Sequence, residues 1–131
     1  MNISEFVKAN QITLTSEACD CNPHMEGSAD MDNYKVTLRR GSRRMTLHFS
    51  KGAGHHGAEP EVTEVLECLS SDSSGIENGS GFEDWCGEYG YNSDSRKAHR
   101  IYKTCARQAA RLRTFLGYDL YRQLLWNTEA M

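Results

Sequence analysis

Apolar and polar residues alternate through the first half of the chain and recur every three to four residues through the second. Ile12-Thr13-Leu14-Thr15 alternates with β-branched members, as a half-buried strand does. Tyr34, Val36 and Leu38 alternate with Lys35, Thr37 and Arg39, and Met45, Leu47 and Phe49 alternate with Arg44, Thr46 and His48. Arg40-Gly41-Ser42-Arg43 between these runs suits a hairpin turn. A short helix over Ser4–Ala9, with Ser4 as its cap, precedes the strands.

From residue 58 onward the period changes. Pro60 suits a first helical turn, with Val62, Val65, Leu66 and Leu69 on one face and Glu61, Glu64 and Glu67 on the other. Ser70-Ser71-Asp72-Ser73-Ser74-Gly75 predicts the end of that helix and a polar loop. Ser80 and Glu83 have capping-box spacing, opening a helix that buries Phe82, Trp85 and Tyr89 and stops at Gly90. The next helix takes Asp94 or Ser95 as cap and Gly117 as stop. Its apolar stripe is Ala98, Ile101, Tyr102, Cys105, Ala109, Leu112 and Leu116. A last short helix spans Tyr118 to Trp126, with Leu120, Leu124 and Leu125 inward. The expectation is one α+β domain over 1–131. About three antiparallel strands in 1–57 are covered by three to four helices from 58–131.

Charge changes this picture. The 131 residues carry a net charge of −3, which conceals a partition. Between Ala58 and Asp94 lie ten acids and no Lys or Arg; Ser95 to Arg113 holds seven basic residues and no acid. Arg96, Arg100, Lys103, Arg107 and Arg111 fall within a sector of about 80° opposite the apolar stripe, along roughly 22 Å of helix. Such a stripe is a solvated face neutralised by the acidic segment, a ridge that tracks phosphates, or a surface that docks on an acidic protein. The sequence pI of about 5.9 and the lack of stacking aromatics weigh against nucleic acid. Glu61, Glu64, Glu67, Glu83, Asp84 and Glu88 offer a negative face, either solvated or meeting a basic groove. Asp72-Ser73-Ser74-Gly75-Ile76-Glu77 echoes a calcium loop without its alternating acids.

Five cysteines, an odd and scattered number, predict reduced thiols, with Cys68, Cys86 and Cys105 as apolar filler. Cys19, Cys21 and His24 are three zinc-type ligands within six residues, with no fourth nearby. Ser50-Lys51-Gly52-Ala53-Gly54-His55-His56-Gly57 reads as a surface loop, since its Lys precedes the glycines and no P-loop order follows. No nucleophile elbow or dinucleotide fingerprint appears. Nothing approaches a membrane span, and Met1-Asn2-Ile3-Ser4-Glu5 lacks the features of a signal peptide.

Phe49-Ser50-Lys51-Gly52-Ala53-Gly54-His55, Glu67-Cys68-Leu69-Ser70-Ser71-Asp72, Phe82-Glu83-Asp84-Trp85-Cys86 and Gly90-Tyr91-Asn92-Ser93-Asp94-Ser95-Arg96-Lys97-Ala98 resemble segments of small proteins of bacteriophages and mobile elements, over residues 49–117. The resemblance carries no catalytic residue. It implies a protein that binds and blocks a host machine, as anti-CRISPR inhibitors do by analogy. The leading expectation is therefore a non-enzymatic phage inhibitor in the cytoplasm of a bacterial host, docked on a CRISPR surveillance complex or another host defence complex. No cofactor is expected. A nucleic-acid-binding accessory protein using the basic stripe is the alternative, and a metal-stabilised module or enzyme a further one.

Overall fold

A computed structural model of the chain describes residues 2–18, 31–52, 59–78 and 81–129. Its elements are α1 (Ile3–Ala9), β1 (Thr13–Ala18), β2 (Met31–Arg40), β3 (Arg43–Gly52), α2 (Val62–Glu77), α3 (Phe82–Tyr89), α4 (Arg96–Leu116) and α5 (Tyr118–Glu129). The class is α+β: a three-stranded antiparallel sheet in the N-terminal half, then helices that pack together. They gather into two compact units, Ser4–Val65 and Leu66–Met131 with Met1–Ile3.

In the first unit the strands lie in sequence order, each antiparallel to the next. Side chains of a strand alternate between faces, so register decides what each face carries. Leu14 pairs with Leu38 and then Met45; Val36 pairs with Leu47, and Tyr34 with Phe49. Tyr34, Val36, Leu38, Met45 and Leu47 are buried on this face, as are Phe6 of α1 and Ile12. The opposite face is polar. Its Thr37 and Thr46 hydroxyls lie 3.1 Å apart, and Arg39 Nη1 donates to Thr15 Oγ1 at 3.3 Å. Arg40 and Arg43 pair across the two-residue turn Gly41-Ser42. Gly41 has φ +61, the left-handed start that glycine supplies in a tight hairpin. Ser50 to Gly52 belong to β3 rather than to a loop, because Asn33, Asp32 and Met31 of β2 pair with them; the rest of the expected glycine–histidine loop lies outside the described residues.

α2 differs most from expectation. Pro60 lies ahead of the helix, and Glu61 caps it: Glu64 Oε1 accepts from the Glu61 amide at 2.9 Å, the glutamate half of a capping box. The serine run does not break the helix, which continues to Glu77. Ser70 and Ser73 are buried there. Gly75 packs so closely on Tyr89 that a Cβ at that position would lie 2.5 Å from the phenol oxygen. Small residues serve close packing in this stretch, not chain reversal. A calcium loop over Asp72–Glu77 is excluded by the same helical backbone.

In the second unit α3 begins at Phe82 after Gly81, with no side-chain cap, and Ser80 lies outside the described residues. It ends where Gly90, with φ 76, donates to Cys86 O. Trp85, Cys86 and Ala98 form a buried cluster, flanked by Ile76, Phe82, Tyr91, Ile101 and Tyr102. Tyr91 lies parallel on Trp85 at 5.0 Å, and Tyr102 meets it edge-on at 5.3 Å. Tyr89, expected inside, is 47% exposed. Ser95 caps α4, accepting from Ala98 N at 3.3 Å, and Gly117 N donates to Arg113 O at the other end. Ala109, Leu112, Phe115 and Leu116 of α4 are buried, as are Tyr121, Leu124 and Leu125 of α5, and the two helices pack on each other. No helix among the described residues is long and apolar enough to cross a membrane.

Candidate binding face on α4

The amphipathic pattern of α4 decides which of its residues reach solvent. With the apolar stripe turned inward, Arg96, Arg100, Lys103, Arg107 and Arg111 are all exposed, as is Lys97. Arg111 Nη1 donates to Gln108 Oε1 at 3.1 Å. Arg96, Arg100, Lys103 and Arg107 take no ion-pair partner among the described residues. The first turn of α4 contains no acid either, so positive charge sits at the positive end of the helix dipole. The i, i+4 pairs Arg96–Arg100, Lys103–Arg107 and Arg107–Arg111 each cost a few tenths of a kcal/mol in an isolated helix. Nothing described on the molecule offsets that repulsion along most of the face.

The acidic segment meets the basic block at Glu77. Its Oε1 accepts from Tyr121 OH at 2.9 Å and lies 3.9 Å from Arg113 Nη1. Arg113 lies outside the five-residue stripe, so this contact ties α2 to α4 and α5 without covering the stripe. Burial, then the hydrogen bond to Glu77, pushes the Tyr121 phenol up to about 12, with Ser73 and Arg113 pulling the other way.

The acidic candidates belong to two elements, α2 with its cap and α3. Glu61, the cap of α2, and Glu67 are exposed and Glu64 is half-buried; Glu83, Asp84 and Glu88 are exposed on α3. Among the described residues no group of three or more His, Cys, Asp or Glu side chains has the arrangement to hold a metal ion. Cys19, Cys21 and His24 lie outside them. Cys86 is buried as expected, but Cys68 is exposed and Cys105 half-buried. Burial, then the nearby Asp72 and Cys68, raises the Cys105 thiol to about 11, which leaves it protonated and a poor nucleophile at neutral pH.

Two features escape a count of charge blocks. Tyr118 and Trp126 are 66% and 71% exposed on α5, with exposed Arg122 midway between them in sequence, so stacking aromatics are present after all. Their eight-residue spacing, with Arg122 at the fourth, puts all three on one side of a helix. Four arginines also crowd the β2–β3 hairpin: Arg39, Arg40, Arg43 and Arg44. The signal was four arginines within six residues; it was lost because the acids of residues 1–57 nearly cancel them. Comparison of the chain with protein-family models, with curated proteins and with solved structures finds no match in any of the three.

Proposed function

We propose that the chain is a non-enzymatic binding protein that docks through the outer face of α4 on the phosphate backbone of a nucleic acid. That backbone is either free or the RNA of a host ribonucleoprotein. One observation carries this reading: Arg96, Arg100, Lys103 and Arg107 stand exposed along one helix face with no ion pair among the described residues. An internal role as counter-charge to the acidic segment would have used them. Arginine favours phosphate because its planar fork donates two parallel hydrogen bonds. The exposed Tyr118 and Trp126 on the neighbouring helix remove the objection that the chain lacks stacking groups. Binding is measured by fluorescence anisotropy of labelled DNA and RNA over a range of salt. Substituting Arg100→Ala and Arg107→Ala together lowers the slope of log K against log salt by about two, one counterion per lost phosphate contact. Absence of binding at low salt to any nucleic acid would end this reading.

A second reading keeps the inhibitor expectation, and α3 favours it. Glu83, Asp84 and Glu88 are exposed there within six residues, an arrangement that suits a basic groove of a host defence protein and repels nucleic acid. In a plaquing assay, phage carrying the protein then escapes a strain with an active CRISPR system. Equal plaquing with and without the protein refutes that assignment.

A further inference from the structure

α5 turns one side into the core and leaves the other bare. Tyr121, Leu124 and Leu125 are buried, and the Tyr121 hydroxyl is tied to Glu77. At about 100° per residue, that anchoring leaves Tyr118, Arg122 and Trp126 within a sector of about 80° on the outer side. Buried contacts therefore fix the rotation of the helix, and with it the side that these three residues share.

Large apolar residues exposed singly are ordinary and need no explanation. These two rings differ in their surroundings. Phe82, Trp85, Tyr89, Tyr91 and Tyr102 pack on one another in one cluster. Tyr118 and Trp126 make no ring contact among the described residues, although both are more than half exposed. Arg122 between them makes no ion pair among those residues, not even with Asp119 three positions earlier. Asp119 lies in the first turn, where it complements the positive end of the helix dipole. The outer side of α5 thus holds two bare rings and an unpaired guanidinium midway between them in sequence.

We propose that this side of α5 binds single-stranded nucleic acid, stacking bases on Tyr118 and Trp126 with Arg122 on a phosphate between them. The site rests on the reading of the chain as a nucleic-acid binder and adds what the α4 face lacks, a means to prefer unpaired bases. Every base has a π-face, so stacking on an aromatic ring tolerates any sequence. In a duplex those faces are covered by neighbouring bases, and only unstacked bases can turn them to a protein ring. The two rings are eight residues apart, about 12 Å along the helix. A strand at its stacked rise of about 3.4 Å per nucleotide covers that distance in three to four steps, and in fewer when stretched. The stacked bases are therefore not neighbours, and the phosphates between them pass Arg122. A lipid surface fits less well. It calls for an apolar outer face, whereas the exposed neighbours of the rings are Asp119, Arg122 and Gln123.

The test is an anisotropy titration of the full chain with three labelled ligands of equal length. These are an oligothymidylate, an abasic strand that keeps the phosphates without the bases, and a duplex. The parent is expected to bind thymidylate at least about fivefold more tightly than the abasic strand for each base stacked, and more tightly than the duplex. Trp126→Ala and Tyr118→Ala each remove about that factor for thymidylate and leave the abasic strand unaffected. Their melting temperatures stay level, because both side chains are exposed, and Trp126→Phe keeps most of the preference. Arg122→Gln lowers the slope of log K against log salt by about 0.7 on either strand. Equal affinity of the parent for thymidylate and abasic strands overturns the stacking site, while a slope lowered by R100A/R107A leaves the α4 reading standing. Loss of the thymidylate preference in Trp126→Ala with no effect of R100A/R107A upholds the α5 site and removes α4. Binding to phosphatidylserine vesicles that Trp126→Ala abolishes, with no preference among the three ligands, would assign the face to a membrane and overturn the proposal.

Discussion

Tyr121 is the residue in which burial and charge are most closely joined. It is 1% exposed, and its hydroxyl donates to a Glu77 oxygen that also faces Arg113. Its folded-state pKa, about 12, lies above the ordinary phenol value of 10. A raised pKa means that the unfolded chain loses this proton first as pH rises. The stabilisation is therefore complete below about pH 10 and disappears as pH climbs towards 12. In urea denaturation, the advantage of the parent over Tyr121→Phe should hold at neutral pH and shrink across that window. A gap that does not change with pH would show that the phenol proton plays no part. The helical face that Leu124 and Leu125 set, three and four residues on, includes Tyr121, but the carboxylate that meets its hydroxyl was not legible in the sequence. Its partner lies 44 residues away, and a contact of that range leaves no local trace.

At the scale of elements, periodicity located what depends on a repeating apolar face. The hairpin turn, the caps of α4 at Ser95 and Gly117, and the stop of α3 at Gly90 lie where spacing placed them. Composition misled at α2, because Ser and Gly favour turns only when solvent or their own side chains compete for the backbone. Here Ser70, Ser73 and Gly75 are small residues under close neighbours, and the helix continues through them. α4 presents the opposite case, an element whose surface opposes its own stability. Arg96 lies in the first turn, at the positive end of the dipole and four residues before Arg100. Arg96→Glu should therefore stabilise the fold by about 0.5–1 kcal/mol while weakening nucleic-acid binding. Thermal melts and anisotropy titrations on the same preparation check both signs. A variant that loses stability and binding together would mean that Arg96 is structural.

For the whole molecule, the α+β class and the order of strands before helices were legible because periods of two and of 3.6 occupy different halves of the chain. The expected contest between acidic and basic blocks was a statement about runs of sequence, and a fold distributes runs over several surfaces. The acids divide between α2 and α3, the α4 cations stay exposed, and the hairpin arginines belong to the other unit. Net charge therefore predicts little about which partner each surface meets. The two tryptophans, finally, divide a different kind of labour. Trp85 is 5% exposed beneath Tyr91 and Trp126 is 71% exposed on α5, so their fluorescence answers separate questions. A soluble quencher reaches the indole of Trp126 and leaves that of Trp85 untouched. Emission from Trp85 follows folding, emission from Trp126 follows contact at α5, and the chain carries an intrinsic optical reporter for each.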